Sequence, residues 1–356
     1  MRLHSFRTTT VDPAARGQEL AARFGTLITR NVQDYLLHFS AKSIPETQVR
    51  STAENCFEAL HEWDAGLALE LRAQAEALEI ELWQLSALNA RTEVLAAAEP
   101  SREGECSTSA FLSGRGAPVT LQTWDWHPHL AADGLLHELE CAGSRRVKQF
   151  TEFGINGKIG VNSDGLGLHF NILAHATDHP GGGVPVHSIA RSVLERATTL
   201  DEAIDLTADA SVCASTVLTV VTGGDRPEVA SLEFSPLGQR VVNRTDNGWA
   251  LHTNHFLDAG LFSQDVMPAD STTAERYDYL SERTSGAAAN STAELLDLLA
   301  SGPDEQPLLC MAPEPGKPAT EQWETLLSIG LDTDNFTLQY SNTNPDLASR
   351  DGLLTF

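Results

Sequence analysis

The sequence has no long apolar run. No window of about 18 residues, the length that a membrane-spanning helix needs, is apolar throughout. The first residues, MRLHSFRTTTVDP, also lack the apolar stretch of roughly 7 to 15 residues that marks a secretory signal peptide. We therefore expect a cytoplasmic protein with no membrane partner.

Cysteine is scarce, and its spacing excludes two common structural uses. The chain has five cysteines in 356 residues, an odd number, with no CxxC pair. This pattern predicts neither a disulfide framework nor a structural zinc site. Most of the cysteines are expected to be small buried hydrophobic residues. They are Cys56, Cys106, Cys141, Cys213 and Cys310.

Positive charge is also in short supply. Lys and Arg number 24 against 49 Asp and Glu, which gives a net charge of −25. The densest basic stretch is only Arg145, Arg146 and Lys148, so the chain would repel a nucleic-acid backbone. The acidity is typical of a soluble surface, it argues against a nucleic-acid partner, and it leaves a homo-oligomer open.

The remaining composition is that of an ordinary globular protein, with 41% hydrophobic and 21% charged residues. Apolar positions recur at helical spacing over the first hundred residues, and a period of two takes over afterwards. The predicted helices cover about 12–40, 46–78, 82–95, 186–208 and 271–300. The predicted strands cover about 119–123, 158–161, 166–172, 215–222, 228–234, 239–242 and 335–340. This order of helices and strands predicts an α+β protein, with a helical front in the first hundred residues and a sheet-rich body after it.

A cysteine stands between these two parts. Residues 96–105, AAAEPSREGE, contain proline, glycine and charge without an apolar period and predict an exposed linker, and Cys106 follows directly. Cleavage of the Glu105–Cys106 bond would place an α-amine, with a pKa of roughly 7.7 to 8.0, beside a thiol with a pKa of about 8.5. One residue would then supply both nucleophile and base. From spacing alone, an inert cysteine at a strand start is the favoured explanation of the residue.

Five segments in order favour the catalytic interpretation. They are ALNARTE from Ala87, CSTSAF from Cys106, QTWDW from Gln122, GINGKIGVNSDGLGLHFN from Gly154 and LHTNHF from Leu251. Together they resemble the acyl-coenzyme A:6-aminopenicillanate acyltransferase family, whose members are N-terminal nucleophile hydrolases. The resemblance implies a four-layer αββα sandwich made as a precursor that cleaves itself before a cysteine. It further implies a helical segment 1–105, which becomes the α fragment, and a catalytic β fragment 106–356, together forming one domain.

The resemblance also implies roles for individual residues. Cys106 matches the nucleophile and new N-terminus, with Glu105 and Cys106 forming the processing site. Asp125 matches the acidic residue that holds the amine of the nucleophile, and Asn254 matches a donor of the oxyanion hole. Without the resemblance, Asp125 would be an exposed residue at a strand end and Asn254 a loop residue.

One further match is looser, and the pattern departs from the family at two positions. Arg276 falls where the family has an arginine on a helix near the nucleophile or substrate, although a solvated arginine paired with Asp270 or Asp278 explains it equally well. Position 105 is Glu where several members have Gly, and Thr123 stands where Asn precedes Trp-Asp.

The histidines suggest a rival function. An HxH pair on a strand directs both imidazoles to one face, as in metal-dependent amidohydrolases. The candidate ligands are His127, His129, His175, His179 and His187. The favoured function is a self-processing cysteine amidohydrolase that forms a Cys106 thioester with a small N-acyl amide. It needs no cofactor or metal, and its partners are that substrate and its own cleaved N-terminal fragment. Coenzyme A-dependent N-acyl transfer and metal-dependent hydrolysis are the alternatives.

Overall fold

The structure is a computed structural model that describes residues 1–96, 98, 105–114, 116–266, 268, 270–302 and 305–356. Among the described residues before the cysteine there are one strand and five helices. They are β1 (Arg2–Thr8), α1 (Pro13–Ala41), α2 (Glu46–Trp63), α3 (Ala65–Ala77), α4 (Leu82–Asn89) and α5 (Arg91–Leu95). The first helix begins where Asp12 accepts a hydrogen bond from Ala15 N at 2.8 Å, ahead of a proline at the first helical position.

Strands dominate the rest of the chain. The first strands after Cys106 are β2 (Ser107–Phe111), β3 (Val119–Trp126), β4 (Asp133–Glu140), β5 (Arg146–Thr151), β6 (Ile159–Asn162) and β7 (Leu166–Ile172). They are followed by α6 (Val186–Arg196), α7 (Leu200–Ala208), β8 (Thr216–Thr222), β9 (Glu228–Ser235), β10 (Gly238–Asn243) and β11 (Trp249–His252). The last elements are α8 (Ala259–Phe262), α9 (Thr273–Thr284), α10 (Thr292–Leu299), β12 (Glu324–Asp332), β13 (Thr337–Ser341), α11 (Pro345–Asp351) and β14 (Leu354–Thr355).

The strands form two sheets that pack face to face. Within the described residues, the first sheet has the order β1-β4-β5-β6-β7-β8-β9-β10, and the second has the order β11-β2-β3-β12-β13-β14. Side chains bridge the two sheets, as where Gln122 on β3 donates to the carbonyl of Phe170 on β7 at 2.5 Å. Helices α6 and α7 cover the first sheet, and α9 and α10 cover the second. The predicted α+β class and αββα layering are confirmed.

The main hydrophobic core joins the helical front to both sheets. Ile28 and Phe39 of α1 belong to the same buried cluster as Trp124 of β3 and Phe150 of β5. A second, smaller cluster lies under α9 and α10 and includes Leu121 and Leu280. Because the front half shares its core with the sheets, it is expected to remain bound after any cut between them.

Three parts of the predicted architecture need correction. The helical front begins with a strand, because β1 finds a parallel partner in β4. The long second helix is divided at Asp64, whose φ of −143° is not helical and whose side chain caps Leu67 N at 3.1 Å. Strands β4 and β5 were not predicted at all. Within the ranges that the structure describes, no helix combines the length and apolar character needed to span a membrane.

Candidate active site

Cys106 lies immediately before β2, a strand that pairs with β3 on one side and β11 on the other. Its side chain is buried, and its Sγ donates to the backbone carbonyl of Asp125 at 3.8 Å. The carbonyl of Cys106 accepts from Arg276 Nη1 at 2.7 Å and from Asn171 Nδ2 at 3.1 Å. The main chain of the predicted nucleophile is therefore fixed from two other elements.

Arg276 connects most of the candidate residues. This residue of α9 is fully buried, so the alternative of a solvated arginine is wrong. In addition to the carbonyl of Cys106, its Nη1 donates to Ser107 Oγ at 2.9 Å. Its Nη2 donates to Glu105 Oε2 at 2.6 Å and to Asn254 Oδ1 at 3.0 Å. A single guanidinium thus contacts both residues of the predicted processing site.

Glu105 departs most from what the sequence predicts. The sequence predicts an exposed linker, but Glu105 at its end is fully buried and forms an ion pair with Arg276. Thr272 Oγ1 donates to the same carboxylate oxygen at 2.8 Å. The rest of the predicted linker, residues 97 and 99–104, lies outside the described residues. The carboxylate therefore anchors the residue before the predicted cut.

Asn254 follows β11 and is held at both ends of its amide. Its Oδ1 accepts from Arg276, and its Nδ2 donates to the carbonyl of Ile172 at 2.9 Å. Its backbone N donates to Thr273 Oγ1 at 2.8 Å. An amide nitrogen carries two N–H groups, so the bond to Ile172 uses one, and the oxyanion role predicted for Asn254 requires the other.

Asp125 is fully buried on β3, so an exposed capping residue is excluded. Burial, followed by the charge of the Asp125 carboxylate, raises the pKa of the Cys106 thiol to about 12. At neutral pH the thiol of the uncleaved chain is therefore protonated. Attack by this sulfur requires a base to take its proton, which is the task predicted for the α-amine released by cleavage.

Two tryptophans flank Asp125, and a buried cation lies over the ring of each. Lys158 Nζ lies 4.0 Å from the ring centroid of Trp124, and the Arg91 guanidinium lies 4.3 Å from that of Trp126. Both cations are paired with Glu152, and its bond to Arg91 measures 2.7 Å. Burial, followed by the charge of Arg91, lowers the pKa of Lys158 to about 7. This charged cluster sets the position of the strand that carries Asp125.

The segments quoted for the resemblance contact one another. Asn89 of ALNARTE donates to the carbonyl of Gly154 at 2.7 Å and accepts from the backbone N of Asn156 at 2.8 Å. Glu93 of the same segment accepts from Val186 N at 2.8 Å, and burial raises its pKa to about 7. These motif residues hold the helical front against the sheets.

Sequence reasoning missed two polar residues of the site. Asn171 accepts from Thr108 Oγ1 at 2.7 Å while it donates to the carbonyl of Cys106. It is the last residue of the segment GINGKIGVNSDGLGLHFN, so a polar side chain at the end of a buried strand was the available signal. The sequence offers no such signal for Thr272, because its role depends entirely on where the loop before α9 lies.

The histidines do not form the metal centre of the rival function. His127 and His129 lie beside His38, with ring centroids 4.8 and 5.5 Å from that residue. His187 instead stacks on Phe170 at 4.7 Å. Among the described residues, no group of three or more His, Cys, Asp or Glu side chains is arranged to hold a metal ion.

Comparison with known proteins places the chain in a family. A family model described as acyl-coenzyme A:6-aminopenicillanic acid acyl-transferase matches residues 112–345, a region that begins after Cys106 and contains Asp125, Asn254 and Arg276. The 40 kDa form of acyl-coenzyme A:6-aminopenicillanic-acid-acyltransferase from Emericella nidulans is 29% identical over 266 residues, 74% of this chain and 71% of that protein.

Solved structures were also found to be similar. Penicillin V acylase from Agrobacterium tumefaciens has a TM-score of 0.37 and 12% identity, over 67% of this chain and 83% of that one. A variant of the conjugated bile acid hydrolase from Clostridium perfringens has a TM-score of 0.40 and 12% identity, over 70% of this chain and 96% of that one. On the evidence of the family model, the protein is a member of the acyl-coenzyme A:6-aminopenicillanic acid acyl-transferase family, as the motifs indicated, and hence of a family of enzymes.

Proposed function

We propose that the protein is a self-processing cysteine amidohydrolase that cuts its own Glu105–Cys106 bond and then hydrolyses a small N-acyl amide through a Cys106 thioester. One observation carries this proposal. The Glu105–Cys106 bond is buried, and both of its residues are hydrogen-bonded to Arg276, which also binds Asn254. A peptide bond that is only a link between two halves of a fold needs no such set of contacts.

In the processing step, Cys106 Sγ attacks the carbonyl carbon of Glu105. The peptide C–N bond breaks, the thiol proton ends on the nitrogen, and the acyl group is held as a thioester. Water then hydrolyses this thioester to give a new C-terminal α-carboxylate on Glu105 and the free thiol of Cys106. In turnover, the new α-amine takes the thiol proton, the sulfur attacks the substrate amide, and the amine product leaves with that proton. Water then hydrolyses the substrate thioester, which releases the acid and restores the Cys106 thiol.

The neighbouring residues have separate roles in turnover. The Asp125 carboxylate holds and stabilises the ammonium that forms when the amine of Cys106 accepts the proton. Asn254 donates to the oxygen that becomes negative in the tetrahedral intermediate. Arg276 fixes the carbonyl of Cys106, and with it the direction of the sulfur. Because Cys106 is buried, a water molecule must enter the site to hydrolyse the thioester.

Acyl transfer is a second candidate function, favoured by the acyltransferase similarity. A thioester reacts with an amine as well as with water, so the same site could pass its acyl group to an amine acceptor. Product analysis with and without an added amine distinguishes the two. Hydrolysis predicts only the free acid, whereas transfer predicts an N-acylated acceptor in proportion to its concentration.

Denaturing mass spectrometry tests the processing step directly. We expect two fragments that meet at the Glu105–Cys106 bond and stay together in the native protein. Cys106→Ala should leave the chain whole and inactive, because the attacking atom is deleted from both reactions. Cys106→Ser should retain some cleavage with little turnover, because a hydroxyl is a far weaker nucleophile near neutral pH. An intact chain with full amidase activity would refute the proposal.

Alkylation separates the thiol from other groups in the cleaved protein. Modification of Cys106, mapped by peptide analysis, should stop hydrolysis, whereas a chelator should leave it unchanged. Cys310→Ala provides the matched control, since Cys310 is partly exposed while the other four cysteines are buried. This variant should keep its activity and its sensitivity to the alkylating agent. Hydrolysis that survives modification of Cys106 would exclude the thioester mechanism.

A further inference from the structure

The ion pair between Glu105 and Arg276 has a consequence for the cleaved protein. The two side chains meet at 2.6 Å, and neither is accessible to solvent. In the part of the chain that the structure describes, the other acceptors of Arg276 are neutral oxygens, namely Cys106 O, Ser107 Oγ, Asn254 Oδ1 and Thr272 Oγ1. Glu105 therefore supplies the negative charge that balances this buried guanidinium.

Cleavage frees Glu105 from its covalent link to the site. If residue 105 withdraws with the end of the N-terminal fragment, Arg276 keeps its neutral acceptors and loses its counter-ion. Leaving one partner of a buried ion pair without the other is strongly unfavourable. The cleaved site would then favour a molecule that returns a carboxylate to the place that Glu105 occupied.

The position of that carboxylate relative to the reacting carbon is set by glutamate itself. In the uncleaved chain the carbon that Cys106 attacks is the Glu105 carbonyl, and three carbon atoms, Cα, Cβ and Cγ, separate it from the side-chain carboxylate. A substrate amide must bring its own carbonyl to the same sulfur. Since residue 105 lies on the acyl side of the bond that breaks, the carboxylate belongs to the acyl group and not to the amine.

We propose that Arg276 is the anion-binding subsite of the cleaved enzyme and that it selects acyl groups with a carboxylate three carbon atoms from the scissile carbonyl, as in glutaryl and α-glutamyl amides. This inference rests on the proposed function, because it requires the cut before Cys106. Residue 105 acts as a model of the substrate that is built into the precursor. The same contacts that anchor it for processing then bind the acyl chain for turnover.

Matched substrates test the subsite. Glutaryl-p-nitroanilide is compared with two other p-nitroanilides. In the first, that of glutaramic acid, an uncharged primary amide replaces the distal carboxylate and the shape stays the same. The second, succinyl-p-nitroanilide, keeps the carboxylate but is one carbon shorter. We expect kcat/KM for the glutaryl compound to exceed both by at least about tenfold. Equal rates for the charged and neutral compounds, with cleavage and alkylation of Cys106 behaving as proposed, would overturn the subsite and leave the amidase function intact.

A binding measurement without turnover completes the test. Glutarate should slow alkylation of Cys106 in the cleaved protein in a saturable manner, whereas the neutral diamide of glutaric acid should not. Equal protection by both, or by neither, would overturn the assignment of Arg276. A chain that never cuts before Cys106 would refute the proposed function and the subsite together, and mass spectrometry recognises that case before any substrate is added.

Discussion

The buried ion pair between Glu105 and Arg276 can be measured by a double-mutant cycle. The cycle uses the Cys106→Ala protein, which is expected to remain uncleaved and so keeps residue 105 in place. Glu105→Gln and Arg276→Met each remove one charge, and the double variant removes both. Urea unfolding then gives four free energies of unfolding, whose combination isolates the interaction of the pair.

The size of the effect follows from the geometry. Two unit charges about 4 Å apart attract by about 4 kcal/mol at an effective dielectric constant of about 20. Both side chains are fully buried at an N–O distance of 2.6 Å, so removal of either partner should cost roughly 3–5 kcal/mol. We expect the double variant to lose less than the sum of the single losses, with a coupling of about 2–4 kcal/mol.

A surface pair supplies the control for this cycle. Arg50 and Glu54 meet at 2.8 Å on α2, but their side chains are 51% and 52% exposed. Their coupling should be close to zero, because water screens both charges and the pair orders two long side chains. If the losses for Glu105 and Arg276 add within about 0.5 kcal/mol, the pair contributes no specific stability and the anchoring argument fails.

The remaining predictions concern the oxyanion donor and the buried lysine. Asn254→Ala should lower kcat by roughly 10² to 10³ without loss of the fold, and near-normal turnover would remove this residue from the oxyanion hole. Lys158 has a pKa of about 7 in the folded protein against an ordinary value of 10.5, so the unfolded chain binds more protons between these pH values. The free energy of unfolding of the Cys106→Ala protein, relative to its Lys158→Met variant, should therefore rise from about pH 7 to about pH 10.5. A difference that stays flat over this range would show that the lysine keeps its ordinary pKa.

The sequence by itself determined what depends on local pattern and short motifs. Helical spacing predicted α1, and alternation predicted β7, β8 and β9 close to their observed bounds. The segment that begins at Cys106, together with the other motifs in order, pointed to the family and to a nucleophile at one position. These signals are readable because each lies within a few residues of the chain.

Tertiary structure decided everything that depends on distant partners. Strand β1 exists because β4 lies beside it, more than a hundred residues away in sequence. Arg276 and Glu105 are 171 residues apart, so no local pattern could tell a buried ion pair from an exposed linker and a solvated helix face. Asn171 likewise reaches Cys106 only through the packing of one sheet on the other. Burial is a property of the assembled fold, and burial turns these ordinary polar residues into a site with defined partners and altered pKa values.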